Sequence, residues 1–246
     1  MRGRALSYGG HGVLSSHKQK PPSACDKRAE TRVESGPMRI PAWLKIGWTT
    51  WVIVWAPVYL KHYGAQNFLY FCDLGNLLIA IGLWTESALI FSWQAAGLLF
   101  FQTLYTLDLL GALVSHRHFL GGTEFMFDRN VPLFVRLLSL FHVVVPPLLL
   151  WAIWRLGYDS RGWKLQTLTT WLVVPINYFW RPQYDVNFAR GLFFREQHRV
   201  PGPVYLAAYL ILVPLLVYFP THLLLAWCVK RCGAANTRIR PSAANE

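Results

Sequence analysis

Residues 63–84 read YGAQNFLYFCDLGNLLIAIGLW. From Phe68 onward the stretch is almost wholly apolar, yet Cys72 and Asp73 sit inside it, with Asn76 one turn later. A bilayer core about 30 Å thick needs roughly 20 apolar residues in a helix rising ~1.5 Å per residue. Six tracts come near that length: 43–60, 68–84, 89–114, 131–154, 165–180 and 203–229. Hydrophobic residues make up 54% of the 246 and charged residues only 15%, against roughly 25% charged in a soluble domain. Backbone groups in lipid must pair within their own segment, so these tracts are predicted as helices. The expected fold is all-α, a polytopic membrane protein with a bundle of six transmembrane helices over 43–229.

The formal charge of +12 would point to nucleic acid only if its distribution were ignored. Lys and Arg outside the tracts fall 15 on the side of both termini and 7 on the other. The positive-inside rule then predicts both termini in the cytoplasm, with membrane lipids rather than nucleic acid as partners. Residues 1–42 are rich in Gly, Ser, Pro and charge, and are expected to be disordered. They lack the apolar core of a secretory signal, and Met38 could itself be a start. Residues 230–246 read as a basic cytoplasmic tail.

The four cysteines, Cys25, Cys72, Cys228 and Cys232, make no disulfide framework. Cys228 and Cys232 lie one turn apart and read as apolar-face residues, with palmitoylation the alternative. His222 reads as structural.

Ionisable groups inside spans are costly and mark either function or a pairing need. With the amino terminus inside, Asp73 lies about 8 Å below the outer face, Asp108 about 9 Å, Arg136 about 8 Å and His142 about 16 Å, by helical rise. Asn177 approaches the outer end of the fifth span. Polar groups of four spans therefore converge on one half of the membrane. Spacing puts Cys72 and Asn76 on one helix face and lines Gln102, Tyr105 and Asp108 along another. A buried Arg136 requires a carboxylate, Asp73 or Asp108. The double proline at 146–147 frees carbonyls near His142 and Val143 and could kink the helix.

The loop 115–132 contains Gly121-Gly122 for a turn, Asn130 as a candidate cap and Pro132 for a first helical turn. His116 and His118 form an H-x-H too sparse for a metal site. No phosphate loop, HExxH or GxSxG motif occurs, and no cofactor is implied.

"YGAQNFLYFCDL" with the span that follows it resembles the second-span signature of the androgen-induced family of integral membrane hydrolases. "NVPLFVRLLSLFHVVVPPLLL" does so too, with Asn130, Pro132, His142 and Pro146 in an N-x-P…H-x-x-x-P pattern. "CDLGNLLIAIGLWTES" and "PINYF" are similar to bacterial YwaF-like proteins of the wider superfamily, which includes an acyltransferase-like branch. The hydrolases use an intramembrane Thr, whose position here is Tyr70. The acyltransferase-like branch implies a Cys, which Cys72 would supply, and His142 matches the His of both branches.

The resemblance thus implies a membrane-embedded lipid ester hydrolase or acyltransferase with Cys72 as nucleophile and His142 as base. Asp108 or Asp73 would orient the imidazole, and Arg136 or Asn177 would steady an oxyanion or headgroup. Asp73, Asn76, Arg136 and Asn177 are the expected substrate-binding residues. Two other readings compete: a non-catalytic membrane binder or transporter using the polar cavity, and a structural protein whose polar cluster locks the bundle.

Overall fold

Pro41, Ser87 and Pro201 mark helix starts. Proline needs no amide partner in a first turn, and the Ser87 hydroxyl accepts the orphan N–H of Ile90 at 3.3 Å. The computed structural model describes residues 40–180, 182–192 and 198–238, with side chains for all but Pro182 and residues 232–238. The disorder expected before residue 40, Cys25, the Cys232 side chain and the tail beyond 238 lie outside these.

Helices follow in the order α1 (Ala42–Tyr63), α2 (Phe71–Thr85), α3 (Ala88–Ser115), α4 (Leu133–Leu138), α5 (Phe141–Leu156), α6 (Gly162–Trp180), α7 (Gly202–Val213) and α8 (Phe219–Arg238). A π-helical turn, Pro214–Tyr218, joins α7 to α8, and four short 3-10 turns lie in the loops. No strand occurs among the described residues.

Among the described residues three helices are long and apolar enough to cross a membrane: α3 with 28 residues, α4–α5 taken together as Leu133–Leu156 with 24, and the α7–α8 rod over Gly202–Arg231 with 30. The other expected tracts fall short for separate reasons. Helix α2 is apolar but only 15 residues long, because Ala65–Leu69 coil into a 3-10 turn ahead of it. Helix α1 carries Lys45 and Lys61 among tryptophans and tyrosines, and α6 carries Lys164, Gln166, three threonines and Asn177. At the other end of the chain, α8 continues past the expected boundary at 229 into the basic segment.

The fourth tract breaks at a place the prolines do not mark. Ser139 N–H and Leu140 N–H bond back three residues, to Arg136 at 3.0 Å and Leu137 at 3.1 Å, ending α4. Pro146 and Pro147 lie within continuous α5. Pro146 leaves the His142 carbonyl without its usual donor, and the Thr106 hydroxyl of α3 donates to it at 3.4 Å. Asn130 is no cap either: its own N–H is taken by Asp128 Oδ1 at 2.8 Å, and α4 starts at Pro132 without a side-chain cap.

Helix α3 is the centre of the bundle and packs against α2, α5, α6 and α8. Its small residues permit this. A Cβ on Gly97 would come within 2.4 Å of the Gln166 side chain, and one on Gly162 within 2.5 Å of the Ser92 backbone. An aromatic stripe runs along α1 at spacings of three and four. Trp48, Trp51, Trp55, Tyr59 and Tyr63 follow one another with ring centroids 5.1–5.4 Å apart, Trp51 and Trp55 stacked and the other pairs tilted or edge-on. Trp55 is fully buried against Phe68 and Phe141. Large apolar side chains cover the outside, including Val114 at 86% exposure and Phe179 at 74%. Surface of that kind is a liability in water and fits a lipid environment.

Candidate functional site

A cavity of about 820 Å³ lies at the end of the bundle where α1 and α3 finish and α2 and α5 begin. Tyr59 and Tyr63 reach it from α1, Cys72 and Asp73 from α2, Gln102, Tyr105 and Asp108 from α3, and His142 from α5. Tyr184 and Asn187, in the segment after α6, close another side. Polar side chains from four helices thus meet at one cavity, and they are not all those expected to line it. Cys72, Asp73, Asp108 and His142 line the cavity, whereas Asn76, Arg136 and Asn177 do not.

Helix α2 starts at this cavity because its first turn is held from far along the chain. Asn187 Oδ1 accepts the Phe71 N–H at 2.9 Å, and its Nδ2 donates to the Leu69 carbonyl at 2.7 Å. Asn187 has a left-handed backbone, φ 58°, a region in which asparagine is among the better tolerated residues. The clamp fixes Cys72 and Asp73 in the first helical turn, at the positive end of the α2 dipole. Asn67 donates its amide N–H to the Asp73 carboxylate.

His142 stacks between two rings, with Phe141 at 4.0 Å and Tyr105 at 4.2 Å between centroids. Its Nδ1 lies 2.8 Å from the Ser139 carbonyl oxygen. A carbonyl only accepts, so Nδ1 carries the proton and Nε2 holds the lone pair. The break between α4 and α5 supplies that carbonyl. Ser139 also pairs its hydroxyl with the buried Tyr59 Oη.

Several expected partnerships are corrected. Asp108 does not orient His142: its Oδ1 accepts the N–H groups of Phe119 and Leu120 at 2.7 and 2.8 Å. The hydroxyl of Thr123 donates to Oδ2, and His118 Nδ1 lies 3.8 Å from the same oxygen. A buried carboxylate at the end of α3 is thus occupied in folding the 116–123 loop onto the bundle. Asp73 does not orient His142 either: its carboxylate accepts from Asn67. Arg136 pairs with neither aspartate. Its guanidinium donates to the Met126 carbonyl at 3.1 Å, which a half-buried arginine reaches without carrying its charge into the interior.

Asn76 is fully buried with both amide atoms unpartnered, and Asn177 is buried with its Nδ2 unpartnered. Both sit in the bundle interior rather than on the cavity. Nor does a hydrogen bond join Cys72 to His142 among the described residues.

Sequence reasoning missed the Asn187 clamp, the Asn67 contact and the Ser139 carbonyl. Polar residues at helix ends were the available signal for all three. Gln102 and Tyr105 were placed on the right stripe, but without a role. Both Gln102 amide atoms and the Tyr105 hydroxyl are buried on the cavity wall without a hydrogen-bond partner.

At the opposite end of the bundle, Tyr158 shares a hydrogen bond of 2.7 Å with His222 Nδ1. Trp163 stacks on that ring and Phe219 packs tilted against it.

No protein-family model, curated protein or solved structure matches the chain.

Proposed function

We propose that the chain is a multi-pass membrane protein with six spans and both termini in the cytoplasm, acting on membrane lipids as an ester hydrolase or acyltransferase at the cavity. One observation carries the reading: a thiol and an imidazole with a free Nε2 line the same 820 Å³ space. Loop charge supports the orientation. The motif resemblance of the second and fourth tracts to the androgen-induced and YwaF-like superfamily points to the same chemistry.

In this reading the Cys72 thiol attacks the ester carbonyl while His142 Nε2 takes its proton. The alcohol departs with the proton returned by His142, leaving a thioester on Cys72. Water or a second hydroxyl then attacks the thioester, regenerating the thiol. Stacking between Phe141 and Tyr105 holds the imidazole plane in place throughout.

A second reading is favoured by the lack of a hydrogen bond between Cys72 and His142 among the described residues: the cavity binds a lipid or small ligand without chemistry. Proteoliposomes incubated with an acyl-labelled lipid mixture separate the two. The enzyme reading expects a hydroxylamine-sensitive acyl adduct on Cys72, lost in Cys72→Ser, and turnover reduced at least 100-fold in His142→Ala. Unchanged lipid turnover in both variants overturns it and leaves the binding reading.

A further inference from the structure

We propose that Gln102 and Tyr105 form a recognition subsite for an uncharged lipid head carrying an ester carbonyl and a free hydroxyl, the chemistry of a partial acylglycerol. This rests on the reading that the cavity admits lipid, and narrows the class of lipid. Gln102 is 2% exposed, lines the cavity, and leaves both Nε2 and Oε1 without partners. One turn along α3, the Tyr105 hydroxyl is buried and unpartnered on the same wall. Buried polar groups without partners are uncommon and costly, so a ligand that satisfies them gains selectivity over one that does not.

The unfilled valences define the complement. Gln102 Nε2 and Tyr105 Oη donate, matching a carbonyl oxygen, and Gln102 Oε1 accepts, matching a hydroxyl. Tyr105 also stacks on His142, so a carbonyl held there lies beside the imidazole. Charge argues against the alternatives. Among the described residues no Lys or Arg lines the cavity, whereas Asp73, Asp108 and Glu124 do, so a phosphate or free carboxylate would meet only like charge. Asp73 and Asp108 already hold internal donors, and Glu124 accepts the Gly122 N–H. Apart from the His142 Nε2 assigned to the reaction, the buried side-chain atoms left open on this wall among the described residues are those of neutral Gln102 and Tyr105.

The full chain in nanodiscs would be irradiated with diacylglycerol, phosphatidylcholine or phosphatidate bearing the same diazirine acyl chain, and adducts mapped to cavity peptides. Diacylglycerol is expected to label the cavity about tenfold more than either phospholipid, with Gln102→Leu and Tyr105→Phe each lowering that labelling several-fold. A merely structural Gln102 predicts otherwise: replacing an unpaired amide by leucine keeps or raises thermal stability and leaves labelling unchanged. Equal labelling by all three lipids, or preference for either phospholipid, overturns the subsite but leaves a lipid cavity standing. Absence of cavity labelling by every probe overturns the lipid reading itself.

Discussion

Asn187 Oδ1 accepts the backbone N–H of Phe71 at 2.9 Å, joining the segment after α6 to the first residue of α2. Its amide nitrogen secures Leu69 as well, so one side chain closes the turn that presents Cys72. Asn187→Ala strips a buried N–H and a carbonyl of their partners, a loss of about 2 kcal/mol. Thermal unfolding in detergent should show a lowered Tm, and Cys72 should react faster with a thiol reagent. Asn187→Asp keeps the acceptor for Phe71 and should fall between the two.

Asp108 gathers three donors from the loop that follows its own helix, and this work is structural. Asp108→Ala should lower thermal stability by roughly 2–3 kcal/mol, since buried backbone N–H groups of Phe119 and Leu120 lose their acceptor. Proteolysis should increase first at 116–123. Had the carboxylate oriented His142, the pH profile of lipid turnover would shift; the geometry predicts an unshifted profile with reduced protein yield.

How much of this was legible in the residues follows from what each pattern encodes. Apolar runs located the helical segments but not all their ends or breaks, since the fourth and sixth tracts each hold two helices and α8 runs on to Arg238. Polarity located the cavity walls, because Cys72, Asp73, Asp108 and His142 occur on helices whose ends alternate in direction. Partnerships were not legible. Arg136 found a carbonyl ten residues away rather than a carboxylate, and Asn187 reached back across 116 residues. Such pairings depend on how loops return to the bundle, which hydrophobic periodicity does not specify. The break at Ser139 was masked by the prolines nearby, which carry a kink signal that continuous α5 overrides.

Tyr59 and Ser139 share a buried hydrogen bond between α1 and the α4–α5 break. Ser139→Ala leaves the Tyr59 hydroxyl buried without this partner and should destabilise by about 1–3 kcal/mol. Tyr59→Phe with Ser139→Ala removes both polar groups and should be less costly than the sum of the single changes. A double-mutant cycle on detergent Tm values reads the coupling directly. Additivity within error would mean that the pair contributes no interaction of its own.

Asp159, in the loop between α5 and α6, is held below its ordinary value of 3.8 by hydrogen bonds from the Arg161 side chain, 2.7 Å at the shortest, and from the Arg161 backbone N–H. A carboxylate depressed in the folded state adds stability above its unfolded value, and loses it as pH falls through the lower folded value. The contribution is therefore complete at neutral pH, begins to fall near the unfolded value of about 4 and is gone only below the lower folded value. Arg161 is largely exposed, so the pair is screened by solvent and the effect is small. Asp159→Asn should lower Tm slightly at pH 7 in low salt, less in 1 M salt, and progressively less as pH falls below 3.8. The Asp159 N–H bond to Ser92 Oγ at 2.9 Å survives the change, so a large loss at every pH would show that the loop depends on the carboxylate for more than its pairing with Arg161.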